Sequence, residues 1–212
     1  MKARAQFHQD TPAGWYYKSI KVDLLQRYWH KRRFKEIEKL LERTAGNILD
    51  IGCADGVFSK VVFDKTKAKQ LTGIDIAPTS IQWANKHWKN KNLRFLIGKA
   101  ENLEFQTSSF DAVFALEVLE HLSSPQKVLR EIKRVMKNGG YGILLVPTDS
   151  LLFQIIWFTW LHFYPRGYVW RGTHIQSFKN GNLAKICRKV GLKVEIKKNF
   201  LLGMLQVIKV RK

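Results

Sequence analysis

Short apolar runs alternate with longer mixed segments through the middle of the chain. Residues 47–51, 70–76, 93–97, 110–115 and 139–147 each read as a strand, and the first is a buried strand running into a small-residue loop. Val57 to Phe63 reads as the first helix beyond that loop. Helical spacing is also visible from Tyr16 to Arg43, with Leu24, Tyr28, Phe34, Ile37, Leu40 and Leu41 on the apolar side and Arg27, Lys31, Arg32, Arg33 and Lys35 on the other. Near the end, Asn182 to Lys189 predicts a helix closed by Gly191. Residues 192–196 and 205–210 alternate as strands. The whole predicts an α/β protein with a seven-stranded, mostly parallel sheet that ends in a reversed edge hairpin.

One segment does not fit the alternation. Residues 151–164 are apolar almost all round, too few to span a bilayer, and bounded by Pro147, Asp149 and Pro165. Burial or a dimer contact is the first expectation for it. A cap over a lipophilic substrate or a position in a membrane interface also suits it, since Trp157, Trp160 and Tyr164 lie near Arg166 and Arg171.

Composition narrows the classes. At 212 residues and 45% apolar content, one globular domain is expected over 1–212. It divides into a helical lead-in (1–45), a core (46–147), an apolar insertion (148–180) and a closing helix with two strands (181–212). The first residues are polar and basic, unlike a secretory signal. Cys53 and Cys187 offer neither a disulfide framework nor metal-ligand spacing, so a reducing cytoplasm is the expectation. The net charge of +20 is uneven: residues 47–123 hold as many acids as bases, and the flanks carry the excess. Such flanks suit anionic lipid at the inner face of a membrane, or nucleic acid, or simply solvated lysines.

The most informative motif is Asp50-Ile51-Gly52-Cys53-Ala54-Asp55-Gly56. Gly52 and Gly56 allow close backbone approach or φ > 0. The spacing is not that of the dinucleotide fingerprint, and the Lys-Ser/Thr of a P-loop is missing. Asp50 would repel a pyrophosphate and attract an ammonium group, which suits an amino-acid-bearing cofactor such as S-adenosylmethionine. Asp75 ends the second strand about 20 residues beyond the loop, where an acid accepts ribose hydroxyls.

On these residues, about 45–147 of the chain resembles the class I S-adenosylmethionine-dependent methyltransferases, with a Rossmann-like fold and an N-terminal helical lid. Their first motif is Asp-x-Gly-x-Gly-x-Gly, and Ala54 stands at the middle glycine here. The resemblance implies that Asp50, Gly52, Cys53 and Gly56 hold the methionine end, Asp75 with Ile76 the ribose, and Ala100 with Glu101 the adenine. Lys99 replaces the acid usual before that pair. Trp15, Tyr16, Trp29 and His30 would line the lid or pack on the sheet.

Glu117-Val118-Leu119-Glu120-His121 is the second informative motif. In a helix starting near Leu116, Glu117, Glu120 and His121 would share one face. Such a set suits a divalent cation, Mg²⁺ or Mn²⁺ ahead of zinc, or a general base with a partner. In many class I enzymes the segment instead shapes the cofactor's methionine end, which includes Glu117 among the cofactor contacts. With Gly172-Thr173-His174 it resembles the ubiquinone-biosynthesis O-methyltransferases, in the type 11 methyltransferase group. That resemblance implies His121 and His174 as catalytic residues and a hydroxyl on a lipophilic or aromatic small molecule as acceptor. Two other expectations stand beside it: an RNA methyltransferase tracking phosphates with its basic flanks, and a non-catalytic protein of this fold binding a membrane or partner.

Overall fold

A computed structural model describes residues 12–44, 46–164 and 174–212. Five strands run parallel: β1 (Asn47–Ile51), β2 (Gln70–Asp75), β3 (Leu93–Ile97), β4 (Phe110–Leu116) and β5 (Met136–Pro147). Then β6 (Lys193–Phe200) and β7 (Leu205–Arg211) close the sheet, in the order β3-β2-β1-β4-β5-β7-β6. β7 is antiparallel to both its neighbours. This is the seven-stranded sheet with the reversed edge hairpin that the pattern predicts, in the Rossmann-like form that the resemblance implies.

Helices cover both faces because successive strand residues point to opposite sides. Leu49 and Ile51 join Val113 and Leu144 in one core, against α5 (Pro125–Val135) and α7 (Asn182–Lys189). Ile48, Phe114 and Ile143 join the other, against α3 (Val57–Thr66) and α4 (Pro78–His87). The sheet order reverses between β1 and β4, and the crevice beyond their carboxyl ends is where such sheets hold ligands.

Three expectations are corrected. The run from Tyr16 is two helices, α1 (Trp15–Val22) and α2 (Leu24–Glu38). Asp23 separates them with an extended backbone, and its carboxylate accepts the Leu25 and Gln26 N–H groups as an N-cap. No helix starts at Leu116. β4 continues through that residue, Glu117 turns with φ 57°, and only a 3₁₀ turn, Leu119–His121, follows before α5. Pro125 holds the first turn of α5 and disfavours helical backbone just before it. Glu117, Glu120 and His121 therefore share no helical face.

The third concerns residues 151–164. They form α6 (Leu151–Phe163), capped by Ser150 Oγ, but Phe153 is the helix's one buried residue. Arg166, Arg171, Gly172 and Thr173 lie outside the described residues.

Candidate active site

The loop after β1 is shaped by backbone constraints. Gly52 has φ 72°, and a Cβ there would come within 2.2 Å of Val118 Cγ2. Its N–H and that of Cys53 both donate to the Ile74 carbonyl, at 2.8 and 3.0 Å. Gly56, also left-handed, caps α3 with its Cα against the Phe95 ring. Ala54 adopts φ 47° although it carries a Cβ, a conformation that costs about 1 kcal/mol. Its N–H is taken by Asp75 Oδ2 at 2.9 Å, while Asp75 Oδ1 accepts from Ala77 N–H at 2.9 Å. Asp75 thus ties the loop after β1 to the loop after β2.

Asp50 lies beneath this loop, 2% exposed, and accepts the Ser59 hydroxyl at 2.5 Å. Burial is the main reason its carboxyl is pushed up to about 7; the Ser59 bond opposes the shift and Asp75 adds to it. Cys53 is buried, which raises its thiol well above the usual range and leaves it inert.

The lid is held to the loop by a residue that sequence reading did not single out. Asp55 Oδ2 accepts the Tyr17 N–H at 2.9 Å, docking α1, and Trp88 Nε1 donates to the Asp55 carbonyl at 2.7 Å. Tyr17 then packs on Trp83, His87 and Trp88 with ring centroids 4.4–5.9 Å apart. Burial also pushes the Asp55 carboxyl up.

A second such residue is Arg33, legible in the sequence only as one member of a basic face. It is buried on α2 and reaches across the cavity: Nη2 lies 3.0 Å from Glu117 Oε2 and Nη1 donates to His30 Nδ1 at 3.2 Å. That bond puts the His30 proton on Nε2. Burial first, and Arg33 second, hold the imidazole well below its usual pKa, so it is neutral. Tyr16 stands edge-on to His30 at 5.7 Å, and burial raises its hydroxyl far above the ordinary value.

The opposite wall is built by long-range backbone bonds. The Glu120 carbonyl accepts from Ile175 N–H at 2.9 Å and Gln176 N–H at 3.0 Å, which draws residues 174–176 beside the 3₁₀ turn. His121 and His174 then meet with ring centroids 5.1 Å apart, and His174 stacks on Trp157 of α6 at 4.7 Å. One ligand atom each from Glu120, His121 and His174 lies within 4.8 Å of the others. Glu117 is absent from this cluster because it faces Arg33. Glu120 is 1% exposed, its Oε2 has no hydrogen-bond partner, and burial, then Glu117, hold its carboxyl well above the usual range.

Between these walls lies a cavity of about 590 Å³. Asp50, Gly52, Cys53 and Glu117 border it, as do Glu120, His121 and His174 on the far side. Gly56, Asp75, Ile76, Ala100 and Glu101 do not line it. The arrangement can place a group with both charges against Arg33, Glu117 and Asp50, and an apolar body under Trp157 and Trp160.

Comparison with known proteins finds likeness to methyltransferases. A family described as a methyltransferase domain matches residues 49–144. A demethylmenaquinone methyltransferase of Thermotoga maritima is 31% identical over 133 residues, 59% of this chain and 56% of that one. A ubiquinone biosynthesis O-methyltransferase of Bordetella bronchiseptica is 29% identical over 191 residues, covering 80% of this chain and 76% of its own. The chain spans about half the length of several curated relatives it matches, 56% and 46% in two of them. Among solved structures, a chain from the complex of a Haloferax volcanii methyltransferase with its activator aligns over 100% of this chain and 98% of its own, with a TM-score of 0.77 at 16% identity. A methyltransferase of Thermotoga maritima aligns over 93% and 99% with a TM-score of 0.65 at 21% identity. These structural likenesses bear on the fold.

Proposed function

We propose that the chain is a class I S-adenosylmethionine-dependent methyltransferase, a reading supported by the methyltransferase-domain match over residues 49–144 and by the likeness to curated methyltransferases, and that it methylates a hydroxyl oxygen of a lipophilic or aromatic small molecule. The observation that carries this reading is the meeting of His121 and His174 in the same cavity as the Gly52 loop, beneath the aromatic face of α6. Asp50 and Glu117 provide negative charge for the cofactor's ammonium, and Arg33 provides positive charge for its carboxylate. The resemblance assigns the ribose to Asp75 and Ile76 and the adenine to Ala100 with Glu101, which would put those parts of the cofactor beyond the cavity that Asp50 borders.

The sulfonium already makes the methyl carbon electrophilic, so the protein's task is alignment, exclusion of water and removal of one proton. A lone pair of the acceptor oxygen forms the new C–O bond as the C–S bond breaks, and its electrons return to sulfur. His121 and His174 are the groups positioned to take the hydroxyl proton.

Glu120, His121 and His174 also fit a divalent cation, since Glu120 Oε2 is buried without a partner. One carboxylate with two imidazoles suits a zinc- or manganese-type ion better than Mg²⁺, which favours oxygen ligands. Bound there, such an ion would polarise the acceptor hydroxyl.

Calorimetric titration with S-adenosylhomocysteine, on wild type and Asp75→Ala, tests the cofactor site. Micromolar binding weakened by the substitution supports it, and a screen starting from prenylated phenols then tests the acceptor class. No binding by the folded protein sinks the enzyme reading. Steeply salt-dependent RNA affinity, with no turnover of phenols, would favour an RNA acceptor.

A further inference from the structure

The cavity opens beside apolar side chains that folding leaves in water. Around the α1–α2 junction, Leu24 and Leu25 are 75% and 64% exposed. On the outer side of α6, Ile155, Phe158 and Phe163 are 56%, 58% and 77% exposed, and the helix carries no charged residue. Leu202, between β6 and β7, is 85% exposed and holds φ 55°, a strained conformation for a leucine at a loop tip. The two helices are one surface: the Tyr164 hydroxyl donates to the Asp23 carboxylate, joining the end of α6 to the cap of α2. Leu25, Ile156 and Leu202 also border the cavity, while Leu24, Ile155, Phe158 and Phe163 do not, so the patch meets the cavity at those three residues. Contiguous exposed apolar surface of this kind marks an interaction site.

We propose that this patch docks on the surface of an anionic lipid bilayer, so that a lipophilic acceptor enters the cavity from the lipid without crossing water; the acceptor part rests on the function proposed above. Charge complementarity selects this occupant. Lys18, Lys21 and Lys31 are exposed on α1 and α2 beside the apolar residues, in a chain of net charge +20. An anionic surface attracts each of them. A two-fold contact between copies would bring the same lysines toward one another. Insertion stays superficial, because no helix among the described residues is long and apolar enough to cross a membrane. Apolar side chains that enter the headgroup boundary with cations beside them are the usual interfacial arrangement.

Flotation of the full chain with phosphatidylcholine vesicles, with and without phosphatidylglycerol, tests this. Wild type should float with the anionic vesicles and less with the neutral ones. Ile155→Ser/Phe158→Ser should lower that partition by about tenfold, since two apolar side chains leave the lipid. Lys21→Glu/Lys31→Glu should lower partition at low salt and make what remains less sensitive to added salt than that of wild type. Both variants should bind S-adenosylhomocysteine like wild type, which separates failure of docking from failure of the cofactor site. Equal partition of wild type and the serine variant, or none by wild type, overturns the proposal. A wild-type dimer that the serine variant splits, with no vesicle binding, overturns it in favour of a contact between copies.

Discussion

Arg33 Nη2 on the lid helix lies 3.0 Å from Glu117 Oε2, the residue that turns the chain out of β4. The pair is separated by more than eighty residues in sequence and closes the cavity from above. Arg33 is buried and Glu117 half-buried, and each keeps an unpartnered buried atom, Arg33 Nε and Glu117 Oε1. A zwitterionic methionine end offers a carboxylate to the first and an ammonium to the second. Cofactor binding is therefore expected to exchange this ion pair for two ligand contacts.

Removing one partner leaves the other poorly solvated. Arg33→Met should cost about 1–3 kcal/mol in urea unfolding, because Glu117 is left without its counter-charge. Glu117→Gln in the same background should recover part of that loss. Titration with S-adenosylhomocysteine should show weaker binding in both single variants. Unchanged binding in Arg33→Met would remove Arg33 from the cofactor site.

Asp50 predicts a pH dependence with a definite sign. Folding moves its carboxyl from 3.8 to about 7, so between those values the folded chain holds a proton that the unfolded chain releases. Its contribution to stability is complete at low pH and declines as pH rises toward 7, by at most about 1.4 kcal/mol per unit. Asp50→Asn should flatten that part of the stability profile. Affinity for S-adenosylhomocysteine should move the other way, rising as Asp50 ionises and can attract the ammonium. A titration series across that range, compared with Asp50→Asn, reads both.

The glycine loop predicts two substitutions of opposite sign. Gly52→Ala puts a Cβ at 2.2 Å from Val118 and in a left-handed backbone, and should lower stability by 2 kcal/mol or more while abolishing cofactor binding. Ala54→Gly relaxes φ 47° and should raise stability by at most about 0.5 kcal/mol, the strain of about 1 kcal/mol less the entropy cost of the new glycine. Thermal denaturation compares them directly.

The histidine pair predicts a split between binding and turnover. His121→Ala and His174→Ala should slow methyl transfer by about 100-fold if either accepts the hydroxyl proton, with S-adenosylhomocysteine affinity little changed. A melting scan with added Zn²⁺, Mn²⁺ or Mg²⁺ should show the smallest shift for Mg²⁺. That shift should vanish in His174→Ala. Equal shifts in the variant would place the ion elsewhere.

Much of the sheet is legible in the sequence because its signals are local. Asn47 to Ile51 is an apolar run ended by glycine, and Gly56 then caps α3; both follow from pattern and backbone freedom alone. The break at Asp23 was also local, an acid before Leu24-Leu25 that serves as an N-cap, although the apolar spacing ran through it. Glu117 was not legible. Helical spacing of Glu117, Glu120 and His121 pointed to one face, but strand pairing of Leu116 with Leu145 carries the chain straight past that start.

The sequence by itself determined the alternation of strands and helices, the glycine loop with its acids, and the reversed hairpin at the sheet edge. Each depends on side-chain period or on backbone preferences within a few residues. Only the tertiary structure decided that Arg33 meets Glu117, that Asp55 docks the lid, and that Glu120's carbonyl brings His174 to His121. These are contacts between segments far apart in the chain, and no local preference encodes their distance. It also decided that α6 lies outside the core. Apolar composition states what a helix gains from leaving water, but whether it does so depends on the surfaces packed around it.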